Sequence, residues 1–152
     1  MEPKIVKVDP FMVIGPKYEG KNEHGEIGEM WSDFNRRWNE VPNLVERPTA
    51  AYGLCYMREN GEMEYIAGRP VTSLKDVPQG MTGREVAAQI YAVFEAKGVG
   101  DIMATYGRIF EWLPSSGYQR GSGPDYEYYP PDFDPENANE SPLYIYFPVT
   151  KA

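Results

Sequence analysis

The stretch Pro124-Asp125-Tyr126-Glu127-Tyr128-Tyr129-Pro130-Pro131 sets one glutamate among three tyrosines, between a Gly-Ser-Gly turn and a double proline. We predict a strand here. Because side chains alternate across a strand, Glu127 shares a face with Asp125 and Tyr129, and the other two tyrosines point away. A half-exposed strand with its glutamate in solvent is the simpler interpretation. If this face is buried, the carboxylate must find a donor, a proton or a cation, and aromatic walls suit a flat lipophilic cation.

Length and composition predict one soluble globular domain over residues 1–152, with no accessory domain. With 41% hydrophobic and 25% charged residues, the chain can bury a core and is not disordered as a whole. Aromatic residues reach 14%, more than such a core needs, and twelve of them are tyrosines. Tyrosine lines cavities and interfaces that are wet at one edge, so the excess indicates a binding surface.

The charge distribution argues against a phosphate-binding surface. The formal net charge is −8, and the segment between Arg120 and Lys151 contains six acidic residues and neither Lys nor Arg. We therefore predict no direct nucleic-acid binding and favour cationic partners, which a negative field attracts. The alternative is that the charge serves only solubility.

Cys55 is the only cysteine, which excludes an intrachain disulfide and favours a reducing, cytoplasmic location. The sequence has no signal pattern and no run of membrane-spanning length, so we expect no membrane association. We interpret Cys55 as a small buried side chain rather than a nucleophile.

Metal and cofactor chemistry find no support in the sequence, and we predict neither. His24, the only histidine, lies in a polar loop and has no nucleophile or zinc ligand set beside it. Asp132, Asp134 and Glu136 alternate but lack the glycine and the terminal glutamate of a calcium loop. The Gly-Ser-Gly segment lacks a phosphate-loop lysine and a dinucleotide glycine pattern, which leaves it as a turn.

Periodicity predicts the same order of elements twice, strand, helix, strand, strand. The first half, about 1–72, has a strand 4–15 bent at Pro10 and a polar loop 17–25. A helix stripe from Ile27 to Trp38 that ends near Val41 and a hairpin turning at Asn60-Gly61 follow. A link of about 73–82 leads to the second half, about 83–152. The second half comprises a strand 86–96, a helix capped by Asp101 and closed by Pro114, the Glu127 strand, an acidic loop 130–142 and a strand 143–149.

The spacing of these elements predicts an α+β fold of duplicated βαββ units related by a pseudo-twofold axis around a central cleft. Corresponding residues lie 80, 74 and 79 positions apart, in the pairs Val13 and Val93, Tyr52 and Tyr126, and Tyr65 and Tyr144. In this pairing Glu127 corresponds to Gly53. One half therefore offers space where the other offers charge, which makes an asymmetric pocket.

The order of motifs resembles the GyrI-like effector-binding domain, a small-molecule module also fused to multidrug-responsive transcription activators. Nearly the whole chain takes part in the resemblance. The motifs are Ala51-Tyr52-Gly53-Leu54-Cys55-Tyr56, Tyr91-Ala92-Val93-Phe94 with Lys97-Gly98, Glu111-Trp112-Leu113-Pro114-Ser115-Ser116-Gly117-Tyr118, Tyr126-Glu127-Tyr128-Tyr129, and Tyr144-Ile145-Tyr146-Phe147-Pro148-Val149.

The resemblance implies a pocket in which Glu127, on the penultimate strand, meets cationic or aromatic small molecules. Tyr129 would share its face, a C-terminal strand tyrosine would close the site, and helix aromatics would form the walls. The full set of predicted ligand-binding residues is Glu127, Tyr129, Trp31, Tyr106, Phe110, Tyr144, Tyr146 and Cys55. The loop 130–142 is long for the family, and no helix-turn-helix precedes the domain.

Three functions follow from this resemblance. The leading hypothesis is a stand-alone, promiscuous binder of lipophilic aromatic cations that uses Glu127 as the counter-charge. A second is a hydrolase of strained cyclopropane-bearing electrophiles, with Glu127 as general base. The third is a protein partner, because the family's namesake restrains DNA gyrase and an acidic surface can imitate DNA.

Overall fold

Ten antiparallel strands and two helices make up the fold of the described residues, 2–46 and 50–152 of a computed structural model. This confirms the predicted α+β class. The helices are α1 (Glu26–Arg36) and α2 (Ile102–Trp112). The strands are β1 (Lys4–Val8), β2 (Phe11–Gly15), β3 (Lys17–Gly20), β4 (Ala51–Met57), β5 (Met63–Val71), β6 (Thr82–Val86), β7 (Gln89–Ala96), β8 (Tyr118–Arg120), β9 (Asp125–Tyr129) and β10 (Leu143–Lys151).

The predicted Glu127 strand, β9, lies in the interior of the sheet. The strand order is β1-β7-β10-β9-β4-β5-β2-β6, with β3 added to β5 and β8 added to β10. The β4–β5 hairpin forms as predicted: Gly61 takes a left-handed φ of 83°, and the Arg58 amide donates to the Glu62 carbonyl at 2.9 Å. A central position for β9 means that its side chains are held from both neighbouring strands.

Several element boundaries differ from the prediction. The predicted strand from 4 to 15 divides at Asp9-Pro10 into β1 and β2, and the predicted loop 17–25 contains β3. The short strands β6 and β8 were not predicted, because three to five residues paired at a sheet edge carry little periodicity of their own. The helical segment stops at Arg36 and continues as a short 3-10 turn, Trp38–Glu40.

Asp101 stands at the N-cap position of α2 but does not bond a helix amide. Its Oδ2 accepts instead from the Lys97 amide at 3.0 Å. The carboxylate thus fixes the turn that leads into the helix.

The duplication remains a prediction. In the first half β2, β5 and β4 are neighbours, and in the second half β7, β10 and β9 follow the same order, with β4 and β9 meeting at the centre. The remaining strands follow the same order, since β6 flanks β2 as β1 flanks β7, and β3 adds to β5 as β8 adds to β10.

Both helices cover the face of the sheet that carries Glu127. Gly53, Glu127 and Ile145 are paired across β4, β9 and β10, so they share one face. Under α1 the buried residues are Ile14, Phe34, Val41, Cys55, Tyr65, Ala67 and Val71. Under α2 they are Ala92, Phe94, Ala96, Ile109, Leu143, Ile145, Phe147 and Val149. Neither helix has the length and apolar character needed to cross a membrane.

Candidate functional site

Glu127 projects from β9 into the space beside Gly53. Glycine is required there, since a Cβ at position 53 would lie 2.1 Å from the Tyr65 hydroxyl oxygen and 2.7 Å from Glu127 Oε1. Both distances are far below van der Waals contact. The pairing of β4 with β9 thus places the space at Gly53 directly opposite the Glu127 side chain.

Two tyrosine hydroxyls hold the Glu127 carboxylate. Tyr65 on β5 and Tyr129 on β9 each donate to Oε1 at 2.7 Å. The indole N–H of Trp31 donates in turn to the Tyr65 hydroxyl at 2.9 Å, which ties α1 to the carboxylate. The Trp31 and Tyr129 rings meet edge to face at 5.3 Å between centroids. Aromatic side chains therefore surround one oxygen of a single acid.

The pKa of the Glu127 carboxyl is raised above its ordinary value, chiefly by burial. The hydrogen bonds from Tyr65 and Tyr129 lower the pKa, and the neighbouring charge of Asp125 raises it further. Burial and the Glu127 charge raise the pKa of both tyrosines well above the usual range, so they remain protonated donors. Glu127 forms no ion pair among residues 2–46 and 50–152.

Asp125 is a second acid on the same face of β9; it is buried, and its charge is compensated. Asp125 is 4% exposed, and its carboxylate accepts a hydrogen bond from the hydroxyl of Tyr106 on α2. A guanidinium nitrogen of Arg120 on β8 lies 2.9 Å from Asp125 Oδ1 and forms a salt bridge with it. Among the described residues the two carboxylates thus differ in exposure and in partners: Asp125 is buried and has a cation, whereas Glu127 is half-buried and has neutral hydroxyl donors.

The structure brings four of the other predicted site residues to this face. Tyr129 and Trp31 lie at Glu127, and Tyr106 lies at Asp125. Cys55 pairs with Asp125 across β4 and β9 and is buried, which raises the pKa of its thiol. Phe110 is further out: it is 57% exposed and meets Phe147 edge to face at 6.0 Å.

Tyr144 and Tyr146 lie on the opposite face of the sheet, away from Glu127. Strand register is the reason, because Ile145 is the residue of β10 that pairs with Glu127. Tyr146 stacks on Tyr126 at 4.7 Å, within an aromatic cluster on that other face. The predicted closing of the site by a C-terminal strand tyrosine therefore does not correspond to this arrangement.

The sequence reasoning missed Tyr65 and Arg120 as site residues. Tyr65 bonds Glu127 from two strands away, across the position that Gly53 leaves open. Its place on β5, directly opposite Cys55, depends on the β4–β5 register, which the turn at Asn60-Gly61 sets. The Asn60-Gly61 turn was therefore the sequence signal from which the position of Tyr65 could have been inferred. No such signal pointed to Arg120, because β8 was not predicted.

Surface hollows lie elsewhere on the molecule. One of about 260 Å³ is lined by residues of β1, β7 and β10, and one of about 420 Å³ surrounds Tyr18 and His24, and neither includes Glu127. The described residues contain no group of three His, Cys, Asp or Glu side chains placed to hold a metal ion. The half-buried Glu127 carboxylate, surrounded by aromatic side chains, is therefore the candidate site.

Comparison with known proteins identifies the family of the chain. The sequence model of the GyrI-like small molecule binding domain matches residues 1–150. The chain belongs to this family. A curated relative, the transcriptional regulator BrlR of Pseudomonas aeruginosa, is 34% identical over 151 residues, which are 98% of this chain and 56% of that protein. The chain thus spans little more than half the length of this relative.

Solved structures share the GyrI-like fold. SAV2435 bound to tetraphenylphosphonium matches with a TM-score of 0.77 and 19% identity, over 99% of this chain and 94% of that one. The C-terminal domain of EcmrR matches with a TM-score of 0.76 and 16% identity, over 99% and 98% of the two chains. At these identities the likeness establishes the fold.

Proposed function

We propose that this GyrI-like domain binds lipophilic aromatic cations and uses Glu127 as their counter-charge. The observation that carries the proposal is a carboxylate with a raised pKa, held by two neutral tyrosine hydroxyls and without an ion pair in the described chain. A buried anion without a cation is costly, and a positively charged ligand removes that cost. The tetraphenylphosphonium in SAV2435 is a ligand of this chemical class.

Aromatic side chains supply the remaining attraction. Trp31 and Tyr129 pack against each other over Glu127, and Tyr106 lies on the α2 side. A cation over one such ring gains roughly 0.5 to 2 kcal/mol. The rings leave few oriented polar groups to select one ligand shape, so the site suits many flat or propeller-shaped cations at moderate affinity.

Ligand entry requires the rings to separate. Trp31 meets Tyr129 at 5.3 Å and bonds Tyr65, so a multi-ring ligand must move the Trp31 side chain to reach the carboxylate. Movement of Trp31 is expected to change the tryptophan fluorescence of the protein, to which Trp38 and Trp112 also contribute. Affinity is reduced by whatever free energy the opening costs.

The direct test compares methyltriphenylphosphonium with triphenylphosphine oxide, a neutral compound of similar shape, by titration calorimetry and thermal unfolding. The cation is expected to bind more tightly, and at about a hundredfold over its dissociation constant to add roughly 2.7 kcal/mol of stability. Equal shifts of the unfolding midpoint for both compounds would refute a counter-charge at this site.

Affinity for a permanent cation is expected to rise with pH and then level off. The cation favours the ionised carboxylate, so it lowers the pKa of Glu127 from the raised value of the free protein. At pH values below this raised pKa, binding must expel a proton and is weakened; above it, no proton is expelled. Calorimetry in two buffers of different ionisation enthalpy measures this proton release. A flat affinity profile for methyltriphenylphosphonium, identical to that of the neutral oxide, would contradict it.

A hydrolase is the second candidate, and the same raised pKa favours it. A carboxyl of raised pKa serves as a general base on water. A tyrosine hydroxyl that now donates to Glu127 Oε1 would have to turn from the carboxylate to donate to the developing oxyanion. The test is turnover of a strained cyclopropane electrophile followed by mass spectrometry. Product formed by the wild type and lost in Glu127→Gln supports an enzyme, whereas binding without product rejects it.

A further inference from the structure

Glu127 is not the only carboxylate that a ligand of this site would meet. Asp125 lies two residues away on β9, with its side chain on the same face. Two residues of strand separate their attachment points by about 7 Å. Cys55 pairs with Asp125 across β4 and β9, Gly53 pairs with Glu127 two residues away, and the Tyr106 hydroxyl donates to Asp125. The two acids therefore belong to one continuous part of this face.

Arg120 is the cation that neutralises Asp125. One guanidinium N–H group donates to Asp125 Oδ1 at 2.9 Å, and the guanidinium lies over the Phe147 ring at 4.9 Å. The side chains differ in exposure, 40% for Arg120 and 5% for Asp125. The arginine therefore reaches the buried acid from the surface, with part of its side chain still in solvent.

We infer that Arg120 limits ligands of this site to a single positive charge, because it occupies Asp125 and leaves Glu127 as the one of these two carboxylates that has no cation among the described residues. The inference rests on the proposed function. With Arg120 in place, the three charged groups sum to one negative charge. A ligand with two charges about 7 Å apart would bring its second charge against the guanidinium. Without Arg120, the same ligand would find a carboxylate for each of its charges.

The experiment uses two probes of one shape. N,N′-dibenzyl-4,4′-bipyridinium carries two charges across its paired rings, and its analogue with one ring nitrogen replaced by carbon carries one. Arg120→Gln is expected to raise the ratio of dication to monocation affinity by at least tenfold. Arg108→Gln is the matched control, because Arg108 pairs with Asp101 at 3.4 Å on the outer side of α2. In this control the ratio of dication to monocation affinity should equal that of the wild type.

A second variant keeps the test decisive if Arg120→Gln does not fold. Asp125→Asn leaves Arg120 without its carboxylate beside the site, so monocation affinity is expected to fall by at least tenfold. The double variant R120Q/D125N removes both charges and should restore the monocation affinity. Monocation affinity unchanged in Asp125→Asn would overturn the inference.

The outcomes separate this inference from the proposed function. If the wild type binds neither methyltriphenylphosphonium nor the single-charge bipyridyl probe, the proposed function fails, and the role of Arg120 fails with it. If the wild type binds these monocations and the affinity ratio is the same in Arg120→Gln and Arg108→Gln, only the role of Arg120 is overturned.

Discussion

Replacement of Glu127 by glutamine is expected to weaken methyltriphenylphosphonium binding by about 30-fold to 100-fold, or roughly 2 to 3 kcal/mol. Glutamine keeps the size of the side chain and offers an oxygen to the Tyr65 and Tyr129 hydroxyls, which now donate to Oε1 at 2.7 Å. The main change is therefore the loss of the negative charge. Titration calorimetry at a pH where the wild-type affinity has levelled off measures the effect.

The same variant is expected to be more stable than the wild type without ligand. The pKa of Glu127 is raised in the folded protein, so the folded state binds the proton more tightly than the unfolded state does. Stability contributed by this group is therefore lost as pH rises from the unfolded pKa to the folded pKa. Glutamine does not ionise, and its unfolding midpoint should be higher than the wild type's above that window.

Glu111→Gln is the control for net charge. Glu111 is exposed on α2, and its replacement changes the net charge by the same amount without touching the buried acid. Affinity for the cation should stay within about twofold of the wild type, because exposed charges are well screened. Equal losses of cation affinity in Glu111→Gln and Glu127→Gln would mean that cations are attracted by the overall negative charge of the protein and not by the Glu127 carboxylate.

Local periodicity was sufficient to predict most of the framework. Alternation along β9 placed Glu127, Asp125 and Tyr129 on one face, and the structure has them there. The three-four spacing of apolar residues identified both helices, since it produces the stripe that packs on the sheet. These features depend only on residues close together in sequence.

Features that depend on pairing between distant strands could not be predicted. Tyr144 and Tyr146 look like pocket residues beside Ile145 in the sequence, but a register that pairs Ile145 with Glu127 turns both tyrosines to the other face. The Arg120–Asp125 pair has the same origin. It needs β8 to pair with β10 at Val149, and a three-residue strand gives no pattern from which this can be inferred.

Gly53 shows how local sequence and the pairing of distant strands together determine the site. It lies on β4 opposite Glu127, and the Tyr65 hydroxyl crosses the space above it to reach the carboxylate. Its φ is not in the left-handed region, so the backbone itself would accept alanine. The requirement for glycine comes from the hydrogen bond that passes over it.

Gly53→Ala is therefore expected to lower the free energy of unfolding by about 3 kcal/mol, because overpacking a tight interior forces side chains from their positions. The added Cβ would lie 2.1 Å from the Tyr65 hydroxyl oxygen and 2.7 Å from Glu127 Oε1. In a domain of this size the unfolding midpoint should fall by roughly 10 °C. Cation affinity should fall as well, since the tyrosine that orients the carboxylate is displaced. Chemical denaturation and calorimetry measure the two effects.

Two further variants decide whether contact with Tyr65 is the cause. The double variant Gly53→Ala/Tyr65→Phe removes the hydroxyl that the added methyl group meets, so it should recover part of the lost stability. Full recovery is not expected, because the ring carbon Cζ of residue 65 would still lie 2.7 Å from the methyl group. Cation affinity should not recover. Gly107→Ala in α2 meets nothing within 4 Å and should stabilise the helix by about 0.5 to 1 kcal/mol. If Gly53→Ala behaves like Gly107→Ala, with unchanged cation affinity, Tyr65 does not orient Glu127 across this glycine.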